Sequence, residues 1–139
     1  MPTTVPYGSW QSPITTDLIV SGSIGLGQVA LDDADIYWVE MRPAEGGRMV
    51  VVKRTPGGEI IDITPEPFSV RTRVHEYGGG AYLVQKGVVY FSNYTDQRLY
   101  RQDPGKEPKP ITPETDIRYA DGCFDAARNS IICVRDDHP

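Results

Sequence analysis

Short apolar runs alternate with turn-forming residues along most of the chain. Residues 35–39, 87–91 and 130–134 are rich in β-branched and aromatic side chains, and each run follows a stretch of turn-forming residues. Runs of this length and composition, bounded by Gly, Pro, Asp and Asn, predict β-strands joined by tight turns. The pattern therefore predicts an all-β protein.

One segment of this pattern repeats. The tetrapeptide Ile-Thr-Pro-Glu at residues 63–66 returns at residues 111–114, a shift of 48 residues (112 − 64). A repeat of about 40 to 50 residues in a β-rich chain is typical of a four-stranded propeller blade. About 4 to 8 blades close a propeller, whereas 139 residues hold between two and three such repeats. We therefore expect a partial β-propeller of about two and a half blades, the front part of a larger protein.

The predicted units follow in chain order. Residues 1–22 form an N-terminal segment with a short helix at 13–20, which Ser12 caps and Pro13 begins. Residues 23–74 form the first blade, 75–116 the second, and 117–139 an incomplete third. The predicted strands are 26–31, 35–42, 48–54 and 59–63 in the first blade, 80–84, 88–93, 98–102 and 109–112 in the second, and 118–124 and 130–134 in the third.

Composition and charge argue against nucleic acid and membranes as partners of this chain. The formal net charge of −5 gives no basic surface, which disfavours nucleic acid. The N-terminus has neither the basic nor the apolar region of a secretory signal, and no apolar run reaches membrane-spanning length. We expect a cytoplasmic protein without a membrane partner. Cys123 and Cys133 lie ten residues apart across a predicted turn; a disulfide there is geometrically feasible, but we favour two reduced core thiols.

Three sequence patterns approach catalytic or cofactor motifs without completing them. Residues 25–30 resemble a dinucleotide fingerprint, but a strand rather than a helix follows. Residues 21–25 approach the Gly-x-Ser-x-Gly nucleophile elbow, but Ser21 occupies its first position. His75 and His138 are the only histidines, and neither has metal-ligand spacing to a second His or Cys. We therefore predict no catalytic residue, no metal site and no cofactor in this chain.

The strongest local signal lies at residues 71–81, where charged and aromatic residues lead directly into three glycines. Glycines allow another group to approach the backbone closely, as expected near the axis of a propeller. In one interpretation His75 and Glu76 bond to the neighbouring blade and the glycines ease packing. In the other, Arg73, His75 or Glu76 faces a channel or cleft and contacts a ligand.

These residues resemble a known family. The sequence Arg-Thr-Arg-Val-His-Glu-Tyr-Gly-Gly-Gly at 71–80 is similar to a segment of peptidases related to prolyl oligopeptidase and acylaminoacyl peptidase. Residues 7–15, 90–93 with 97–100, and 134–138 fit the same family in order, so that the resemblance covers nearly the whole chain. One departure is Asp136, which stands where the family pattern has Glu.

The resemblance implies a two-domain serine peptidase, a hydrolase active in proteolysis. In that family an N-terminal β-propeller caps a C-terminal α/β-hydrolase domain that carries the Ser, Asp and His of the triad, and the propeller admits mainly short peptides. No triad residue maps to this chain, and the hydrolase domain is absent from it. We expect a gating or scaffolding role without activity of its own. The alternative is a non-enzymatic propeller interaction module or a decayed gene remnant, and a nucleophile elbow encoded downstream of Pro139 would favour the peptidase.

Overall fold

The computed structural model of the chain describes residues 4–20 and 22–137. Ser21, the first residue of the elbow-like pentapeptide, and His138, the last residue of the segment 134–138, lie outside the described residues. Within them the structure is antiparallel β, with one short helix and two 3₁₀ turns. The predicted all-β class is confirmed.

The strands form three antiparallel sheets. In chain order they are β1 (Gly25–Asp32), β2 (Asp35–Arg42), β3 (Arg48–Arg54), β4 (Ile60–Asp62), β5 (Tyr82–Gln85), β6 (Val88–Ser92), β7 (Leu99–Gln102), β8 (Lys109–Pro110), β9 (Ile117–Asp125) and β10 (Ser130–Asp137). The first sheet has the order β1-β2-β3-β4 and the second the order β5-β6-β7-β8, while β9 and β10 pair with each other. Each sheet is a meander of consecutive strands.

The β2–β3 hairpin illustrates how local sequence sets the register. Its strands pair without a shift from Ile36 opposite Arg54 to Arg42 opposite Arg48. The connection is the 3₁₀ turn Pro43–Glu45, followed by Gly46 and Gly47 at φ of 67° and 82°. A left-handed backbone costs glycine least, so these two residues reverse the chain without strain. The two strands then present alternate side chains to the core.

The core lies between the first two sheets. Tyr37, Val39 and Val51 of the first sheet pack in one cluster with Phe91 of the second. The segment between the sheets adds Phe68, whose ring meets those of Phe91 and Tyr100 edge-on at centroid distances of 5.8 and 5.0 Å. Each fully buried side chain of this size contributes roughly 1.5–3 kcal/mol. The buried cluster, to which both sheets contribute and against which Phe68 packs, therefore joins the two sheets into one packed unit.

The first strands of the three sheets lie side by side, with β5 in contact with both β1 and β9. Two bulged strands make the connections. Gln28 in β1 accepts a hydrogen bond on Oε1 from the Ala81 amide at 2.8 Å, and Asp121 in β9 accepts one on Oδ1 from the Gly80 amide at 2.7 Å. Both Gln28 and Asp121 have positive φ and lie at register shifts. A bulge re-aims a side chain, and here each bulge directs a side-chain acceptor to the segment before β5.

The short helix differs from its prediction. Helix α1 spans Thr16–Val20 and begins later than residue 13. Thr15 rather than Ser12 acts as its cap, because Thr15 Oγ1 accepts a hydrogen bond from the Leu18 amide at 3.1 Å. Ser12 instead closes a local turn by accepting a bond from the Ile14 amide.

The predicted strands occur in order, with shifted ends. β2 and β3 have the predicted bounds, β8 is shorter than residues 109–112, and β10 extends beyond residue 134 to Asp137. The prediction of two core thiols is wrong for Cys123, which is exposed, since its side of β9 carries no covering sheet among the described residues. Cys133 is half-buried, and burial raises the pKa of its thiol. The unit boundaries 1–22, 23–74, 75–116 and 117–139 stay predictions, as does the number of blades.

Candidate functional site

The second 3₁₀ turn, Val74–Glu76, carries two of the three residues proposed from the sequence as ligand contacts. His75 has φ 53° and ψ 23°, and Glu76 has φ 65°. Two consecutive residues other than glycine in the left-handed region are unusual, and each such residue costs of order 1–3 kcal/mol. Contacts elsewhere must therefore hold this turn in place.

The third sheet supplies those contacts. Arg118 of β9 donates from Nη1 to the Arg73 carbonyl at 2.8 Å and to Glu76 Oε1 at 2.6 Å. The His75 amide donates to Oδ2 of Asp136 in β10 at 2.9 Å. The turn is thus fixed by both strands of the third sheet. Asp136, the position that departs from the family pattern, makes one of these bonds.

The side chains of His75 and Glu76 are exposed, whereas that of Val74 is buried. His75 is connected to the third sheet through its backbone amide, while its side chain is exposed. The next residue, Tyr77, is 94% exposed. Gly78–Gly80 then bring the chain close to β9, because a Cβ on Gly79 would lie 3.0 Å from Ala120 Cβ. The structure therefore brings Arg73, His75 and Glu76 together on a rigid surface turn.

Arg73 is held at both ends of its backbone and along its side chain. Its amide donates to Gln97 Oε1 at 2.8 Å, and its carbonyl accepts the bond from Arg118. Its guanidinium carbon lies 4.8 Å from the centroid of the Tyr94 ring, and that of Arg71 lies 4.9 Å from the same centroid. Gln97 also fixes Tyr94, because its Nε2 donates to the Tyr94 carbonyl at 2.7 Å.

A cleft of about 720 Å³ opens beside Arg73. Arg73 and Arg118 line one part of it, and Glu114 and Asp116 line another, so that both signs of charge face the same space. Asp96 also lines the cleft, but it accepts a 2.6 Å bond from the Tyr100 hydroxyl. Burial and this bond raise the pKa of Tyr100 to about 12. The cleft can therefore receive a small polar molecule of mixed charge.

Other chemistry has less support in the part of the chain that the structure describes. No group of three or more His, Cys, Asp and Glu side chains there is arranged to hold a metal ion. Residues 25–30 lie inside β1, and β2 follows, so no helix N-terminus is available for a pyrophosphate. No helix in residues 4–20 and 22–137 is long and apolar enough to cross a membrane.

Four residues of this region were not found from the sequence: Arg118, Asp136, Tyr94 and Gln97. All four lie 18 to 60 residues after Glu76, the last residue of the turn (94 − 76 and 136 − 76), so no local pattern connects them to it. The departure of Asp136 from the family pattern was the one available signal. That departure drew attention to Asp136 but did not indicate that its partner is the His75 amide.

Comparison with solved structures relates the whole chain to peptide-hydrolysing enzymes. A puromycin-hydrolyzing peptidase from Mycobacterium tuberculosis superposes with a TM-score of 0.87 and 38% identity, covering 99% of this chain and 22% of that one. A puromycin hydrolase superposes with a TM-score of 0.79 and 34% identity, covering 94% of this chain and 22% of that one. No family model and no curated protein matches the chain. The chain thus spans about a fifth of the length of the two solved proteins.

Proposed function

We propose, from the confirmed resemblance of this chain to peptidases of the prolyl oligopeptidase family, that it forms propeller blades of a serine peptidase of that family. The observation that carries the proposal is the 38% identity at a TM-score of 0.87 over 99% of the chain. Identity of this size over a whole chain goes beyond a shared sheet architecture. The proposed role is to gate or scaffold, without catalysis by this chain alone.

The sheet arrangement supports a gating role. The first strands β1, β5 and β9 lie next to one another, as the innermost strands of neighbouring blades do around a propeller channel. In the full-length protein we infer that a separate α/β-hydrolase domain supplies Ser, His and Asp and hydrolyses short peptides through an acyl-enzyme. Blades around a channel would then restrict entry by size.

Within this role we infer that Arg73, His75 and Glu76 form a ligand-contacting turn. Strained backbone conformations persist only where their surroundings hold them, and they cluster at ligand-binding sites. Here Arg118 and Asp136 hold the strain while the His75 side chain stays exposed.

The first test uses the purified chain alone. We expect no hydrolysis of aminoacyl or acyl-aminoacyl chromogenic amides. Turnover that survives rigorous purification and is blocked by a serine-directed inhibitor would contradict the proposal.

The second test is a chimera. This chain replaces the matching segment of the Mycobacterium tuberculosis puromycin-hydrolyzing peptidase. Two substrates are compared: a short aminoacyl amide, and an unfolded protein that contains the same type of scissile bond. We expect the chimera to cleave the short amide and to exclude the protein. A chimera that folds and cleaves both equally would contradict gating. A chimera that never folds with the hydrolase domain would favour an interaction module.

A further inference from the structure

We propose that Arg71, Tyr94 and Arg73 form a clamp that binds a carboxylate group of a peptide. The identification of the ligand as a peptide rests on the proposed function. The clamp itself rests on the geometry of the three side chains. We refer to these three residues as the arginine clamp.

Both guanidinium groups lie over one ring. Arg71 and Arg73 place their guanidinium carbons 4.9 and 4.8 Å from the Tyr94 centroid. A cation over a ring is held by its charge, and this leaves its N–H donors available for an acceptor. The one side-chain hydrogen bond of Arg73 is a long contact of 3.4 Å from Nη2 to the Tyr94 carbonyl.

Neither arginine of the clamp has a carboxylate partner among the described residues, although the chain has 19 acidic residues and 14 basic ones. Most of the other arginines differ in this respect, although Arg54 and Arg98 also form no ion pair among the described residues. Those in ion pairs are Arg42, Arg48, Arg101, Arg118, Arg128 and Arg135. An arginine pair left without acids in an acidic protein is a place where an external carboxylate can bind.

Arg73 also carries an unsatisfied donor. Its Nε is buried and has no hydrogen-bond partner. Buried donors are almost always paired, and an unpaired donor next to a cleft calls for an explanation. Rotation of the guanidinium toward the cleft would present Nε and one Nη to the two oxygens of a carboxylate, the paired geometry that arginine favours. Ligand binding would thereby satisfy a donor that the free chain leaves unpaired.

The surroundings favour a single carboxylate over a polyanion. Glu114 and Asp116 line the same cleft as Arg73, and the chain has a net charge of −5. A phosphate-rich ligand would be repelled by both. A peptide can offer a single carboxylate beside neutral amides, which suits a cleft in which Arg73 of the clamp faces an acidic wall. Arg71 lines a separate cavity beside Tyr77 and Gly79. The carboxylate comes from a free C-terminus or from an acidic side chain.

The test is an NMR titration of the ¹⁵N-labelled chain that follows the arginine Nε–Hε signals. The probes are acetyl-Ala-Ala with a free C-terminus, acetyl-Ala-Glu-amide with only a side-chain carboxylate, and acetyl-Ala-Ala-amide with neither. We expect a saturable shift of the Arg73 Nε–Hε signal with at least one acidic probe and none with the neutral amide. The stronger of the two acidic probes identifies the source of the carboxylate. Equal shifts with all three probes, or no saturable shift, would overturn the proposal.

Variants locate the site. Arg71→Gln removes an exposed side chain whose contact is with the Tyr94 ring, so the fold should be retained. We expect affinity for the acidic probe to fall about tenfold or more, the size of a lost charge-assisted bond. Arg135→Gln removes another exposed arginine and should leave affinity within about twofold. Equal affinities of Arg71→Gln and the unaltered chain would overturn the clamp. Because this readout is binding by the chain alone, it is independent of the chimera that tests the proposed function.

Discussion

Strands β1 and β5 occupy equivalent places, each the first strand of a four-stranded meander, yet their surroundings differ. No residue of β1 is buried, and Leu26 remains 70% exposed. All four residues of β5 are half-buried, and Ala81 just before it is buried. β5 contacts both β1 and β9, one from each neighbouring sheet.

The comparison shows that a strand of this fold is buried mainly by its neighbouring sheets. β1 is as apolar as β5, with Leu26, Val29 and Leu31 all exposed. In repeat architectures much of the stability comes from interfaces between adjacent units. The contribution of a side chain to the free energy of unfolding should then depend more on whether neighbouring sheets cover it than on its own hydrophobicity.

The largest expected effect is a difference in the free energy of unfolding between substitutions in the core of the second sheet and in the exposed strand β1. Phe91 is fully buried in β6 and contacts the rings of Phe68 and Tyr100. Phe91→Ala should lower the free energy of unfolding by about 3–5 kcal/mol, since it leaves a cavity between two sheets. Leu26→Ala should lower it by less than about 0.5 kcal/mol. Urea unfolding of both variants checks this, and similar losses would contradict the proposed role of neighbouring sheets.

Much of this fold could be predicted from sequence because its strands are short-range features. The β2 and β3 bounds followed from one apolar run each and the turn residues between them. The predicted β8 was too long because Ile111 and Thr112 are residue types that favour strands. The Ile111 amide does donate to the Leu99 carbonyl, but the Leu99 amide donates to the Thr112 side chain, at Oγ1, instead of to a backbone carbonyl. The helix start was missed because Ser12 and Thr15 are both good caps, and only the fold selects between them.

The site could be predicted only in part. Glycines next to charged residues pointed to the turn at Arg73–Glu76, and the three residues do lie together. The side chains that hold the turn come from β9 and β10, and sheet-to-sheet contacts of this kind leave no periodic signal in the sequence. The arginine clamp was missed for the same reason, since Tyr94 is 21 residues from Arg73 (94 − 73).

A smaller effect is expected where β9 approaches the segment before β5. A Cβ on Gly79 would lie 3.0 Å from Ala120 Cβ and from an oxygen of Asp121. Gly79→Val should therefore cost about 1–3 kcal/mol by overpacking. Gly27→Val is the matched control, because Gly27 lies in the exposed β1 and a Cβ there would meet nothing within 4 Å.

His75→Ala extends the same comparison to the turn. It removes an exposed side chain while the amide bond to Asp136 remains, so we expect a smaller loss than for Gly79→Val. Urea midpoints of the three variants rank them. A loss for His75→Ala equal to that for Gly79→Val would mean that the imidazole has a structural or ligand-linked role.

The outer strand of the first sheet should show pH dependence. Arg42 donates from Nη1 and Nη2 to the two oxygens of Asp62 in β4, at 2.6 and 2.7 Å. This hydrogen bonding lowers the pKa of Asp62 below its usual value. The unfolded chain then binds the proton more readily, so the stabilisation is fully present above the unfolded pKa of about 3.9 and is lost as pH falls through the lower folded pKa.

Asp62 is half exposed, so its pairing should contribute only about 1 kcal/mol or less. We expect Asp62→Asn to be less stable than the unaltered chain by that amount at about pH 6, and the difference to shrink as pH falls below the unfolded pKa of about 3.9. Glu59→Gln, an exposed substitution just before β4, should leave the pH dependence intact. Stability differences between the chain and Asp62→Asn that stay constant from about pH 6 to 3 would show that the Arg42 pair does not couple folding to protonation.

Substitutions on the exposed face of β1 should have the smallest effect on stability, but they should change self-association of the chain. β1 exposes Leu26, Val29 and Leu31, and β10 pairs only with β9 among the described strands. Exposed apolar side chains and open strand edges promote self-association, so we expect the isolated chain to associate at micromolar concentration. Leu26→Lys should reduce light scattering while changing the free energy of unfolding by less than about 0.5 kcal/mol, because the side chain is in water already. Gln11→Lys adds the same charge outside the strand and should leave scattering unchanged. If both lysine variants reduce scattering equally, net charge governs association and the exposed face of β1 does not.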